Sequence, residues 1–174
     1  MEHIHPENEW YALFVLTGQE EKVKERIMYR FEDRIRVVVP KRILRERKGG
    51  SWRIVKRVLF PGYVLINGHI DVDLYYSMKS IPGMIKLIRS GYDPVSITED
   101  EIRVLSRLMS NGEEIGISQA LDEGGRIRIT DGPLLAMEGY IKEINRRKGR
   151  AKVIINFLGE ARTVELAISV LQPA

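Results

Sequence analysis

The sequence predicts an α+β chain in two parts: an antiparallel sheet with flanking helices, joined by a linker to a small all-β barrel. Three observations predict it. Apolar strands and amphipathic helices alternate from Trp10 to Ser110. A stretch rich in Gly, Glu, Asn and Ser, with few large apolar residues, then breaks the pattern over 111–123. From Gly124 onward, five short strands separated by turn residues fill about fifty positions, the density expected of a small barrel. The expected division is a tail over 1–9, a sheet-and-helix domain over 10–110, a linker over 111–123 and a barrel over 124–174.

Each element has its own signal. Trp10 to Leu16 is a continuous apolar run bounded by Thr17-Gly18, which suits a central strand. Val23, Ile27 and Phe31 recur every four residues with Lys and Glu opposite, predicting a helix that Thr17-Gly18-Gln19 could cap and a Glu20 to Lys24 pair supports. Ile35 to Val39 is a β-branched strand stopped by Pro40. Gly49-Gly50 supplies a turn between two basic runs, and Trp52, Ile54, Lys56, Val58 and Phe60 then alternate, so Lys41 to Arg57 reads as a β-hairpin. Phe60-Pro61-Gly62 should bend the chain before a buried strand from Tyr63 to Ile66. Asp71 caps a short helix carrying Leu74, Met78 and Ile81, Pro82-Gly83 ends it, and Met84 to Ile88 is a further strand. Hairpin aside, the order is β-α-β-β-α-β, that of a ferredoxin-like or RNA-recognition-type sheet. Thr98 to Glu101 forms a capping box for a third helix bearing Ile102, Leu105, Leu108 and Met109. In the barrel the strands are expected at Arg126–Ile129, Tyr140–Ile144, Val153–Asn156, Val164–Leu166 and Val170–Leu171.

Composition narrows the function. With 44% hydrophobic and 30% charged residues, the 174-residue chain can bury a core and remain soluble. No apolar run approaches the roughly 20 residues of a membrane span, and Met1 to Glu9 lacks an apolar leader, so a cytoplasmic protein with no membrane association is expected. Zero cysteines exclude disulfides, thiolate metal sites and cysteine nucleophiles. His3 and His5 sit in the expected tail without further ligands, and His69 is the only other histidine. No nucleophile, base and orienter set and no phosphate-loop spacing can be assembled, so neither an enzyme nor a cofactor is expected.

Charge is concentrated in the hairpin. Lys41, Arg42, Arg45, Arg47, Lys48, Arg53, Lys56 and Arg57 face a single acid, Glu46, whereas the whole chain is only +4. A polyanion surface needs such a block, since each neutralised phosphate releases counterions; the alternative is a solvated hairpin whose charges protect a strand edge. Few stacking aromatics accompany the block, which suits duplex backbone recognition more than single-strand binding. Trp52 either stacks on an unpaired base or packs across the hairpin, the latter being the simpler reading. A lesser cluster, Arg146, Arg147, Lys148, Arg150 and Lys152, reads as a solvated turn with RNA contact as the alternative.

The residues also resemble a family. Trp10-Tyr11, Thr17-Gly18, Glu21 to Lys24, Val39-Pro40, Gly49-Gly50 and Phe60-Pro61-Gly62-Tyr63-Val64 resemble, in order, the N-terminal (NGN) domain of NusG-type transcription elongation factors. Asp131-Gly132-Pro133, Gly139, Val153–Asn156, Gly159 and Val164-Glu165-Leu166 resemble the family's SH3-like KOW barrel. The resemblance implies a monomeric factor that binds RNA polymerase through its N-terminal domain and suppresses pausing or termination. By motif position the polymerase contacts would be Trp10, Tyr11, Phe60 and Tyr63. The KOW partner, a ribosomal protein or a termination factor, would meet Leu134, Met137, Phe157 and Leu158, although Leu134 and Met137 replace aromatics common in the general factor. The basic run after Val39-Pro40 also departs from the general factors. It is similar instead to the operon-specific antiterminators of the family, the LoaP and RfaH types, and implies contact with an RNA hairpin or with non-template DNA. A ribosome-associated KOW protein that never binds polymerase is the competing class; a polymerase pull-down separates the two.

Overall fold

A computed structural model describes residues 9–90 and 93–172. In chain order the elements are β1 (Trp10–Val15), α1 (Glu20–Phe31), β2 (Arg36–Val38), β3 (Lys41–Lys48), β4 (Ser51–Val58), β5 (Tyr63–Asn67), α2 (Val72–Lys79), β6 (Met84–Leu87), the two-residue strands β7 (Arg89–Ser90), β8 (Asp93–Pro94) and β9 (Ser96–Ile97), and α3 (Glu99–Leu108). They continue with β10 (Glu114–Ile115), β11 (Ser118–Glu123), β12 (Arg126–Asp131), β13 (Ile141–Asn145), β14 (Arg150–Phe157) and β15 (Glu160–Leu171). The chain divides into two compact units, Met1–Val39 with Phe60–Ile102, and Pro40–Leu59 with Arg103–Ala174. The basic hairpin, expected within the first domain, thus groups with the barrel.

The first unit is the anticipated sheet, in the order β2-β5-β1-β6 with β9 added along β1 and all pairs antiparallel. Its core takes Tyr11, Leu13 and Val15 from one parity of β1, Val64 and Ile66 from β5, the Val23, Ile27 and Phe31 stripe of α1, and Leu74 and Met78 of α2. Asp71 caps α2 by accepting from the Leu74 amide at 2.7 Å, and Thr98 and Glu101 exchange the bonds of a capping box. The entry to α1 differs from expectation. Gln19 makes no side-chain cap bond; the buried Glu20 carboxylate takes the Gly18 amide at 2.9 Å and the Gly62 amide at 2.8 Å instead. The expected tail lies outside the described residues except for Glu9. That residue is tied to the sheet: its carbonyl accepts from the Asn67 side chain and its carboxylate from Tyr11 Oη at 2.6 Å.

The second unit holds the hairpin, with β10 paired parallel to β3, and a curled five-stranded sheet ordered β12-β11-β15-β14-β13, which fits an SH3-like KOW barrel. The stretch expected as a linker carries β10 and β11, because Ile115, Ser118 and Ala120 are buried there. The two last predicted strands are one, β15: it pairs antiparallel with β14 through Glu160–Ala167 and parallel with β11 through Ile168–Leu171. At the Asp131-Gly132-Pro133 turn Gly132 has φ +97°, and a Cβ there would lie 2.7 Å from Ser118 Cα. The fully buried Ser118 hydroxyl accepts from the Leu134 amide at 3.0 Å.

Candidate nucleic-acid interface

The hairpin follows from its sequence. Gly49 and Gly50 have φ +59° and +83°, the double positive φ that a two-residue turn matching strand twist requires. Eight residue pairs follow in register from Lys41↔Val58 to Lys48↔Ser51. Partnering divides the eight candidate cations. Toward the base Lys41 pairs with Glu113 at 3.1 Å, Lys56 with Glu114 at 2.7 Å and Arg57 with Glu46 at 2.9 Å, while Arg42 donates to the Glu165 carbonyl at 2.8 Å. The hydrogen bond from Arg57 holds the Glu46 carboxyl below its usual range. Toward the tip, Arg45, Arg47, Lys48 and Arg53 have no carboxylate partner among the described residues. Arg45 lies over the Trp52 ring, 5.5 Å from its centroid, and Trp52 is 46% exposed.

The hairpin is seated on β15 and the β13–β14 turn. Arg150 donates to Glu165 Oε2 at 3.1 Å and to the Arg45 carbonyl at 3.2 Å, and Leu44 is buried. Burial, with the nearby Arg150 charge second, lowers the Arg42 pKa. This seam gathers the tip and the second basic cluster around one cavity, lined by Arg45 and Trp52, Arg146–Gly149 and the β15 segment Ala167–Val170. Within the cluster Arg146 is paired with Asp122 and Lys152 with Glu143, whereas Arg147 and Lys148 lack a carboxylate among the described residues. Sequence reasoning set this cluster apart as a solvated turn; no local signal reports that a turn more than ninety residues away lies beside the hairpin.

The aromatic candidates of the first unit separate by strand parity. Phe60 and Tyr11 are 4% and 7% exposed, so they belong to the core and not to an open depression. Trp10, flanked by Arg36, and Tyr63 are half-buried, and Tyr63 packs edge-on against its cross-strand partner Phe14, ring centroids 5.5 Å apart. Phe14 is the residue that sequence reasoning missed; its even spacing from Trp10 along β1 is the signal that places it on the same face.

In the barrel, Leu134, Met137 and Phe157 are at most 1% exposed, so the apolar partner patch expected from motif position is its core, with Leu158 half-buried at its edge. Aliphatic and aromatic side chains fill the interior of a barrel this small. Among the described residues the exposed large apolar side chains of the barrel are Leu135, Tyr140, Ile154 and Leu171. Among the described residues no cluster of His, Asp or Glu could hold a metal, and no helix is long and apolar enough to cross a membrane.

Comparison with known proteins agrees with this architecture. The family model for the transcription termination factor NusG matches residues 8–106. The transcription termination/antitermination protein NusG of Thermus thermophilus is 31% identical over 92% of this chain and 96% of its own length. The proteins of the same name from Bacillus subtilis and Escherichia coli K12 are 32% and 29% identical, over 92% and 97% of this chain and 95% and 98% of theirs. A solved structure of Thermotoga maritima NusG, described for its domain interaction, aligns at a TM-score of 0.59 and 28% identity, covering 91% of this chain and 93% of that one. With the family model matched over more than half its length and these near-full-length relatives, the chain belongs to the NusG family.

Proposed function

We propose that this protein is a monomeric cytoplasmic transcription elongation factor of the antiterminator kind, which binds RNA polymerase through the first unit and contacts structured RNA of its target transcript through the hairpin tip. The observation that carries the reading is the partnering of charge. At the hairpin base Lys41, Lys56 and Arg57 are neutralised by carboxylates and Arg42 is tied to a main-chain carbonyl, while Arg45, Arg47, Lys48 and Arg53 at the tip have no carboxylate among the described residues. Unneutralised guanidinium and ammonium groups on a turn held rigid by a fully paired ladder meet phosphates without first breaking internal ion pairs. Polymerase is assigned to the half-buried aromatic face of Trp10, Phe14 and Tyr63, where rings are accessible without unfolding the core. A ribosomal protein or termination factor recruited by the barrel would meet Leu135, Tyr140 and Ile154 rather than the buried set.

Near-full-length similarity to proteins named transcription termination/antitermination protein NusG supports a second reading, the general elongation role with polymerase as the main ligand. A salt titration of binding to a structured leader RNA and to bubble DNA of matched length separates them, run with the intact protein and with an Arg47→Glu, Arg53→Glu variant. RNA binding that depends on the tip supports the antiterminator. Weak binding to both, unchanged in the variant, returns the protein to the general role.

A further inference from the structure

The cavity at the hairpin tip has about 450 Å³ of space, within the range of small-molecule and cofactor sites and far more than an inorganic anion fills. Three properties of its lining define what fits. Arg147 and Lys148 project from a turn held in place by Gly149, whose carbonyl accepts from the Ile168 amide at 3.0 Å and whose φ of +66° suits glycine. With Arg45 they form a cationic rim lacking carboxylate partners among the described residues, so the ligand is anionic. Trp52 and the Arg45 guanidinium stacked over it present flat, weakly hydrated surfaces, so the ligand has a planar part. Gln119 and Ser169 are register partners on the parallel strands β11 and β15, which sets an amide and a hydroxyl side by side as donors and acceptors.

An anionic group, a planar ring and edges that form hydrogen bonds together describe a nucleotide. We propose that this cavity receives one nucleotide extruded from structured RNA, its base against Trp52 and its phosphate on the Arg147–Lys148 turn. The proposal rests on the RNA reading above and sharpens it to a bulged duplex. Continuity of charge selects a nucleotide within a strand over a free one. Arg47, Lys48 and Arg53 extend the basic surface along the hairpin, where the phosphates flanking an extruded nucleotide lie and a free nucleotide has none. Paired A-form RNA hides its base edges in a deep groove, and extrusion is least costly for a base that is already unpaired.

The test uses the full chain and labelled RNA hairpins of one stem sequence, either fully paired or carrying a single bulged nucleotide, with each of the four bases in turn and with 2-aminopurine. Binding is followed by anisotropy, and the surroundings of the bulge by 2-aminopurine fluorescence. At least one bulged hairpin is expected to bind roughly tenfold or more tightly than the paired one, consistent with the stacking losses seen on removing an aromatic. Its 2-aminopurine should be quenched on binding. Trp52→Ala should abolish the preference and the quenching while salt-dependent binding to the paired hairpin persists, and Trp52→Phe should restore the preference. Because Trp52 is partly exposed, the fold tolerates both changes. Equal, salt-dependent affinity for bulged and paired hairpins overturns the pocket while leaving the RNA reading standing. Absence of salt-dependent binding to any hairpin overturns both. Displacement of bulged RNA by micromolar AMP or GMP overturns the strand-borne source in favour of a free nucleotide.

Discussion

The Glu20 carboxylate, at the first residue of α1, accepts a hydrogen bond from the Gly62 amide 2.8 Å away, and so fastens the start of a helix to the bend that returns the chain from the basic hairpin. Glu20 is 3% exposed and also takes the Gly18 amide. Glu20→Ala would leave both donors without this acceptor. The expected loss is about 2–4 kcal/mol in urea denaturation, with Glu20→Gln losing less because one acceptor oxygen remains.

The division of hairpin charge has a distinct signature in salt dependence. Alanine at Arg47, Lys48 and Arg53 together should shrink the slope of log K against log salt by about 2–3, near one unit for each phosphate left without its cation. Alanine at Lys41 and Lys56, which Glu113 and Glu114 already neutralise, should change it by less than half as much.

Burial distinguishes the aromatic candidates. Phe14→Ala and Tyr63→Ala are expected to lower polymerase affinity by roughly tenfold in a pull-down titration, with the fold retained. Phe60→Ala removes a core ring and is expected to destabilise by about 3–5 kcal/mol, so any drop in polymerase binding in that variant should track unfolding measured by circular dichroism.

Tyr11 carries an alkaline signature. Burial first, then the hydrogen bond and charge of Glu9, push its hydroxyl from 10.0 up to about 12. The protonated form is therefore favoured by folding. The contribution is fully present below pH 10 and is lost as pH rises from about 10 through 12. Spectrophotometric titration should show a late contribution from Tyr11, which Tyr11→Phe should remove.

Gly132 should tolerate no side chain. Its φ is +97°, and an added methyl would sit 2.7 Å from Ser118 Cα, so Gly132→Ala combines left-handed strain with a backbone clash. A loss of roughly 2–4 kcal/mol is expected in thermal or denaturant unfolding, against under about 1 kcal/mol for Gly116→Ala, where φ lies outside the left-handed region and the same methyl meets no atom within 4 Å.

The elements legible in the sequence are those with local signals. The Val23, Ile27, Phe31 period, the Asp71 and Thr98 caps and the Gly49-Gly50 turn each depend on residues a few positions apart, and all are found in place. What is not legible depends on distant partners. The segment Ser118–Glu123 alternates too weakly to read as a strand and exists because β12 and β15 pair on either side of it. Trp10 to Leu16 is apolar at both parities, so nothing within it tells the open face from the closed one, and the core residue Tyr11 reads there as a contact residue. Leu134, Met137 and Phe157 mislead in the same way: an apolar residue in a motif reads alike whether it faces solvent or a core.

The change of partner along β15 also sets an order of events during synthesis. Lys41 to Val58 can zip into a hairpin as soon as its own turn has been made, because every contact in the ladder is local. β11 must wait about fifty residues for Ile168–Leu171 before its parallel neighbour exists. Throughout that interval the nascent chain carries a finished basic hairpin without the sheet on which it will rest, close to a ribosome surface rich in phosphate. Slowing translation between Glu123 and Glu160 should therefore lengthen a phase of ribosome association that salt dissolves, and sequestering the hairpin once β15 has paired should end it.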